Sequence, residues 1–195
     1  MKLAALLLAA AALLAACGGA SSEGEQRAKA NFGVYRKAED QRKDAESALN
    51  HAFRDISKAA NARDRVSALA AVDRGKDAIS TVYSTLAVEL DAADAIAAYE
   101  PTREHGERLR RALRRTREGA SLIDRQLDIA QRDPFLDDAA NLDEIRRLSS
   151  QSLKVSAPAA FERRRAVRAI ALNLGVEPPF DVLFDSPKPT TTTGG

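Results

Sequence analysis

The stretch that decides the fold is residues 65–101, RVSALAAVDRGKDAISTVYSTLAVELDAADAIAAYEP. Alanine and larger apolar residues recur in and just before it at the a and d spacing of coiled-coil-like packing. The series comprises Ala62, Leu69, Val72, Ile79, Tyr83, Leu86, Leu90, Ala93 and Ala97. Its phase continues undisturbed through Gly75, so we interpret that glycine as an interior helix position. The stretch predicts one long helix with an Ala/Leu seam.

Both ends of this helix carry boundary signals. Asn61 can close a preceding helix, and Asp64 can cap the helix that follows. At the other end, Glu100 is pushed out of the α region because it precedes Pro101, and proline itself suits the first turn of a new helix. We therefore expect a helix on each side of this one.

Three further segments show the same spacing. The apolar positions of the first are Phe32, Tyr35, Ala38, Ala45, Leu49, Ala52, Phe53, Ile56 and Ala60. Those of the next are Leu109, Leu113, Thr116, Ala120, Ile123, Leu127 and Ala130. Those of the last are Leu142, Ile145, Leu148, Ser152, Ala160, Val167, Ile170, Ala171 and Leu174. We expect the last helix to be kinked or split near Pro158 and to stop at Gly175.

Four helices of similar length, each on the order of 50 Å, favour an all-α, antiparallel four-helix bundle over residues 25–175. A continuous dimeric coiled coil over residues 25–98 is the alternative, but the apolar phase breaks near Asn61. Residues 36–46 are nearly all charged. They predict a thin Ala seam with a broad solvated face on the first helix.

The N-terminus has the anatomy of a secretory signal: one basic residue, an apolar run, and then small residues up to a cysteine. The run ends in Leu14-Ala15-Ala16-Cys17, which resembles the lipobox of bacterial lipoproteins. In that family a signal peptidase cuts before the cysteine, which then carries a diacylglycerol and often an acylated amino group. The resemblance implies a cleaved signal at residues 1–16, a lipidated Cys17, and a short tether up to residue 24.

An uncleaved transmembrane anchor is the alternative, but the run is shorter than the roughly 20 residues that span a bilayer. Within the lipoprotein family, an aspartate after the cysteine retains the protein at the inner membrane. Gly18 stands there. The resemblance therefore implies an exported protein, held at the outer membrane and facing the periplasm if the cell has two membranes.

Composition and motifs give no sign of an active site. The only cysteine would be consumed by the anchor, and 30 basic against 28 acidic residues give no reason to expect nucleic-acid binding. His51 and His105 lack metal or haem spacing, and we expect them at the surface, with no cofactor. The pairs Asp137-Asp138 and Asp143-Glu144 suit a cation, but capping at a helix N-terminus is the favoured interpretation.

An arginine cluster at residues 103–117 is the best candidate for a binding function. Its members are Arg103, Arg108, Arg110, Arg111, Arg114, Arg115 and Arg117, against only Glu104 and Glu107. Guanidinium groups suit phosphates and carboxylates, so phospholipid headgroups, lipid A or peptidoglycan are possible targets. We single out Arg108, Arg111, Arg114 and Arg115 as candidate anion-binding residues.

Pairing with the acidic end of the preceding helix is the favoured explanation for most of this cluster. A hairpin at Glu100-Pro101 would bring Asp91 near Arg110 and Glu89 near Arg111 or Arg114. Because arginines outnumber these acids, a positive face would remain.

The tail, residues 176–195, differs in composition from the helices. It contains an apolar group whose main members are Phe180, Leu183 and Phe184. We expect Val176–Phe184 to dock on the bundle, or else to serve as a recognition motif for a partner, and we expect disorder after about residue 186.

The sequence as a whole favours a non-enzymatic, membrane-anchored lipoprotein of the cell envelope that acts as a structural or protein-interaction module. Its expected partners are the membrane, reached through the lipid, and another envelope protein. One alternative is a bundle that holds a lipid or another apolar ligand, although Ala-rich seams leave little room for a cavity. Another alternative is a surface protein whose arginine-rich helix contacts an anionic polymer or lipid.

Overall fold

Four long helices account for nearly all of the described chain. The computed structural model describes residues 22–178. The helices are α1 (Glu23–Asn61), α2 (Arg65–Ala97), α3 (Arg103–Arg132) and α4 (Ala139–Asn173), with a short 3-10 helix, Glu100–Thr102, between α2 and α3. Helices adjacent in sequence pack together as antiparallel pairs, which confirms the predicted all-α four-helix bundle. The predictions for Cys17, Phe180, Leu183 and Phe184 lie outside the described residues.

The turn between α1 and α2 forms where the sequence predicts it. α1 ends at Asn61, and Asp64 caps α2 by accepting a hydrogen bond from the Ser67 amide at 3.0 Å. Arg63 adopts a left-handed conformation with φ of 55°. The Asp64 amide then donates to the Ala59 carbonyl at 2.9 Å. This is the Schellman arrangement that satisfies the last carbonyls of a helix.

α4 is one uninterrupted helix. It continues through Pro158, so the predicted split does not occur there. It ends at Asn173, and Gly175 takes the left-handed conformation with φ of 63°. The Val176 amide donates to the Ala171 carbonyl at 2.9 Å, which closes a second Schellman motif. The predicted stop at Gly175 is confirmed.

The buried face of α2 is wider than the predicted seam. Four seam positions are buried as expected: Val72, Ile79, Leu86 and Ala93. Four others are only partly buried: Leu69, Tyr83, Leu90 and Ala97. Nine positions outside the seam are also buried: Ala68, Ala71, Gly75, Ala78, Val82, Thr85, Glu89, Ala92 and Ile96. The difference arises because α2 lies between α1 and α3, so both of its flanks are covered.

Glycines allow α2 and α3 to approach closely. A Cβ atom on Gly75 would lie 2.8 Å from Cδ2 of Leu127, so this interior glycine makes room for a core leucine. A Cβ atom on Gly106 would lie 2.7 Å from the backbone nitrogen of Ala97. The α2–α3 hairpin is therefore held in register by backbone contact close to its turn.

The first and last helices, α1 and α4, contact each other differently from the helix pairs that are adjacent in sequence. The backbones of α1 and α4 are not closely packed; instead Arg163 of α4 reaches Glu39 of α1, with Nε 3.8 Å from Oε1. We call the end of the bundle where α1 begins the proximal end. There the Asn173 side chain donates to the Pro101 carbonyl at 2.9 Å. Within residues 22–178, no helix is long and apolar enough to cross a membrane.

Candidate functional site: an arginine surface and a buried charge cluster

The N-terminal half of α3 lies beside the C-terminal half of α4. The Asn173–Pro101 hydrogen bond fixes this pairing at the proximal end. Further along, the Ser152 hydroxyl donates to the Gly119 carbonyl at 3.2 Å. The arginine-rich residues 103–117 therefore run alongside roughly residues 155–172 of the antiparallel partner.

The four predicted anion-binding arginines fall into two groups. Arg108 donates to Glu104 at 2.9 Å, and Arg111 stands at the limit of an ion pair with Glu107 at 3.9 Å. Arg114 and Arg115 are exposed and form no ion pair with any residue that the structure describes. Of these four, Arg114 and Arg115 are thus the most open to an external anion.

The predicted hairpin register is wrong by about one helical turn. Arg110 pairs with Asp94 at 2.9 Å, whereas Asp91 is exposed. Glu89 faces α1 instead of α3, as described below. The turn includes a 3-10 helix, and the close contact between Gly106 and Ala97 sets the register of the two helices. The prediction assumed a simple hairpin at Glu100-Pro101 and therefore placed the wrong residues opposite each other.

α4 contributes basic residues that the sequence pattern does not connect to the arginine cluster. Arg165 and Arg168 are exposed on the stretch of α4 that runs alongside residues 103–117, and the guanidinium carbon of Arg165 lies 5.6 Å from the ring centre of Phe161. Only the antiparallel pairing of α3 with α4 brings the two sets together. We call the group Arg111, Arg114, Arg115, Arg165 and Arg168 the arginine surface.

Charge is distributed unevenly between the two sides of the bundle. α3 carries nine arginines against five acidic residues, and α4 carries seven basic against three acidic residues. α1 is nearly balanced, with eight basic and seven acidic residues, and α2 has three basic and five acidic residues. The positive potential is therefore concentrated on the α3–α4 side.

A second group of charged residues lies inside the bundle. Nε of Arg42 donates to both carboxylate oxygens of Glu89 at 3.0 and 3.1 Å, and both side chains are completely buried. Glu39 is also buried, with Oε1 at 3.8 Å from both Nη2 of Arg42 and Nε of Arg163. We call Glu39, Arg42, Glu89 and Arg163 the buried charge cluster.

Burial raises the pKa of two side chains in this region, Glu89 of the cluster and Tyr35. Desolvation raises the pKa of Glu89 above its ordinary value, although Arg42 offsets part of the effect. Desolvation also raises the pKa of Tyr35 well above its usual range. The Tyr35 hydroxyl has no hydrogen-bond partner among the described residues and stands beside the cluster. Tyr35 therefore remains neutral at ordinary pH.

The predicted solvated face at residues 36–46 is wrong for two of its charged members. Ala38 and Ala45 are buried as predicted, but Glu39 and Arg42 are buried with them. A signal was present in the sequence: Phe32, Tyr35, Glu39 and Arg42 follow steps of three, four and three. Glu39 and Arg42 thus occupy the buried seam itself. They were predicted to be solvated because their side chains are charged.

The acidic pairs that were candidates for cation binding instead cap a helix or form ion pairs with arginines. Asp138 caps α4 by accepting from the Ala140 amide at 2.8 Å, and Asp137 pairs with Arg63 at 2.6 Å. Asp143 and Glu144 pair with arginines of their own helix. His51 is exposed, and His105 is partly buried. Within residues 22–178, no group of three potential metal-ligating side chains is present.

Two surface hollows occur on the described part of α3. One, of about 440 Å³, is lined by Glu100, Pro101, Arg103, Glu104, His105 and Glu107. The other, of about 170 Å³, is lined by Arg125, Asp128, Ile129, Arg132, Asn141 and Glu144. Both linings are mainly charged, unlike the mostly apolar lining of typical small-molecule pockets.

The chain was compared with protein-family models, with curated proteins and with solved structures, and none of them matches it.

Proposed function

We propose that this protein is a non-enzymatic, lipid-anchored module of a bacterial cell envelope, with a structural or protein-interaction role. The observation that carries the proposal is Leu14-Ala15-Ala16-Cys17 at the end of an apolar N-terminal run. A cysteine in this setting resembles the lipidation site of bacterial lipoproteins. Two or three acyl chains on Cys17 would make anchoring effectively permanent.

The position of α1 supports a short distance between bundle and membrane. Ser22 is the N-cap of α1, and its hydroxyl accepts a hydrogen bond from the Glu25 amide at 3.2 Å. The stretch from Cys17 to Ser22 spans at most about 17 Å even when fully extended. A lipid on Cys17 would therefore hold the proximal end of the bundle next to the bilayer.

The helices themselves support a structural or interaction role. Their seams are filled largely by alanine, leucine and isoleucine, and the buried charge cluster ties α1 to α2 and α4. The result is a bundle about 50 Å long that presents large charged faces. Such a shape suits contact with other envelope components along its length.

Fatty-acid labelling tests the anchor. Cells that express the full chain with Cys17→Ser should accumulate an unprocessed precursor without label from a radioactive fatty acid. A Gly18→Asp variant is the matched control, since it keeps Cys17 and should still be labelled, but should fractionate with the inner membrane. Continued labelling of Cys17→Ser would overturn the proposal.

A further inference from the structure

We propose that the α3–α4 side of the bundle docks on an anionic phospholipid surface, so that the bundle lies on its side and α1 and α2 face away from the lipid. This inference rests on the proposed function, because the anchor brings the surface to the bilayer. The contact itself, however, uses residues of the bundle alone and can be measured without the lipid on Cys17.

Most of the positive charge on the arginine surface has no ion-pair partner within residues 22–178. All five members of the arginine surface are exposed, and within residues 22–178 Arg111 alone among them forms an ion pair, at 3.9 Å. The guanidinium forks of Arg114, Arg115 and Arg168 are thus free for phosphate groups, which they match in geometry. Each basic residue near an anionic bilayer contributes about 1 kcal/mol, or roughly fivefold in binding.

Exposed apolar residues accompany the arginines of α4. Phe161, Arg165, Arg168 and Leu172 follow steps of four, three and four and so share one face of α4. Phe161 is 48% exposed and Leu172 is 62% exposed. Exposed aromatic and leucine side chains beside arginine are typical of helices that lie in the membrane interface. A purely carboxylate-bearing polymer would use the arginines but not Phe161 or Leu172.

The distance of these residues from the anchored end of the bundle also favours a bundle that lies on its side. Arg114 on α3 and Phe161 on α4 each stand about 17 Å along the helix axis from the proximal end. An upright bundle would keep them more than a Debye length of about 8–10 Å from the headgroups, where salt screens their charge. A bundle that lies on its α3–α4 side brings the whole arginine surface to the lipid. The short stretch from Cys17 to Ser22 permits either orientation.

A tryptophan reporter tests the contact, because the chain has no tryptophan of its own. The unlipidated mature chain, residues 18–195, contains the whole bundle and would carry Phe161→Trp. Vesicles of equal parts phosphatidylglycerol and phosphatidylcholine should shift its emission to the blue and raise its intensity at low salt. Vesicles of phosphatidylcholine alone should not, and about 0.5 M salt should reverse the shift as screening shortens to a few ångströms.

Val88→Trp is the matched control for position. Val88 is 43% exposed and lies on α2, which is not among the helices that pack against α4. Its emission should stay unchanged on the same vesicles. An equal shift at both positions, or no shift at Phe161→Trp, would overturn the proposal.

A variant of the arginine surface tests whether binding depends on these five residues or on the overall positive charge of the protein. Glutamine at all five positions of the arginine surface should weaken binding to the anionic vesicles by about a thousandfold or more, since each arginine contributes roughly fivefold. The matched control replaces five exposed basic residues elsewhere: Arg36, Lys37, Arg54, Lys58 and Arg65. Equal weakening by both sets would overturn the proposal. A failure here leaves the fatty-acid labelling of Cys17 unaffected, so the two proposals fail independently.

Discussion

Arginine occupies two opposite environments in this bundle. Arg42 is completely buried and donates to both oxygens of Glu89, whereas Arg114 is exposed and has no ion-pair partner among the described residues. In the core, the charge is balanced by internal partners, Glu89 of α2 and Glu39 and Glu46 of its own helix. On the surface, it remains free for an external anion. The same residue type therefore organises the fold in one place and is available for binding in the other.

The energetic contrast follows from solvation. Moving a guanidinium out of water costs several kcal/mol unless a carboxylate compensates for it, as Glu89 does for Arg42. An exposed guanidinium keeps its hydration and needs no partner. We infer that the buried charge cluster fixes which faces of α1, α2 and α4 meet, since any other register would leave a buried charge unpaired.

The largest expected effect is that of Arg42→Ala on stability. Removing Arg42 leaves Glu89 buried without its main cation and Glu39 with one cation fewer, and we expect a loss of about 3–5 kcal/mol. Urea unfolding followed by circular dichroism measures the change. The double variant Arg42→Met with Glu89→Leu removes both charges and should recover most of the loss. A loss below about 1 kcal/mol for Arg42→Ala would contradict the role of the cluster.

The destabilisation should depend on pH in a defined direction. Arg42 lowers the pKa of Glu89, which burial raises, so without Arg42 this pKa rises further above its ordinary value of 4.5. Between the unfolded and folded pKa values the folded state binds more protons, and stability therefore falls as pH increases. Arg42→Ala should lose more stability relative to the natural chain at pH 7 than at pH 4. Equal losses at both values would argue against an unpaired Glu89.

An intermediate effect on stability is expected from the ion pair between Asp94 and Arg110, which forms where Asp91 and Arg110 were predicted to pair. Asp94 and Arg110 lie 2.9 Å apart on the surface, and exposed pairs of this kind contribute about 0.2–1 kcal/mol. A double-mutant cycle with Asp94→Ala and Arg110→Ala should show a coupling in that range. The control cycle with Asp91→Ala and Arg110→Ala should show none. Coupling of Asp91 instead of Asp94 would restore the simple hairpin register.

Much of the fold could be predicted because each helix has its own signals. The caps at Asp64 and Asp138 and the stop at Gly175 are local properties of the chain, and so is the apolar spacing. The orientation of α2 could not be predicted as well, because two helices cover it and both flanks are buried. The buried charge cluster escaped prediction because a charged residue on a seam looks solvated until its partner, 47 positions away, is known.

The candidate site could be predicted only in part, for a related reason. The arginines of α3 are visible as a run in the sequence, and Arg114 and Arg115 are indeed free of ion pairs with other described residues. The contribution of Arg165, Arg168 and Phe161 depends on the antiparallel register of α3 and α4. Periodicity within one helix contains no information on that register.

The smallest expected effect on stability is that of the exposed arginines. Arg114→Gln with Arg115→Gln removes two charges that have no partner within residues 22–178, so the free energy of unfolding should change by less than about 0.5 kcal/mol. A slight gain is in fact expected, because like charges on neighbouring turns of α3 repel one another. The same variant should bind anionic vesicles more weakly than the natural chain. A large loss of stability would mean that Arg114 and Arg115 stabilise the fold, as Arg42 does.

Unchanged stability with weaker vesicle binding would separate the two environments, since only the surface arginines would then affect a contact outside the protein.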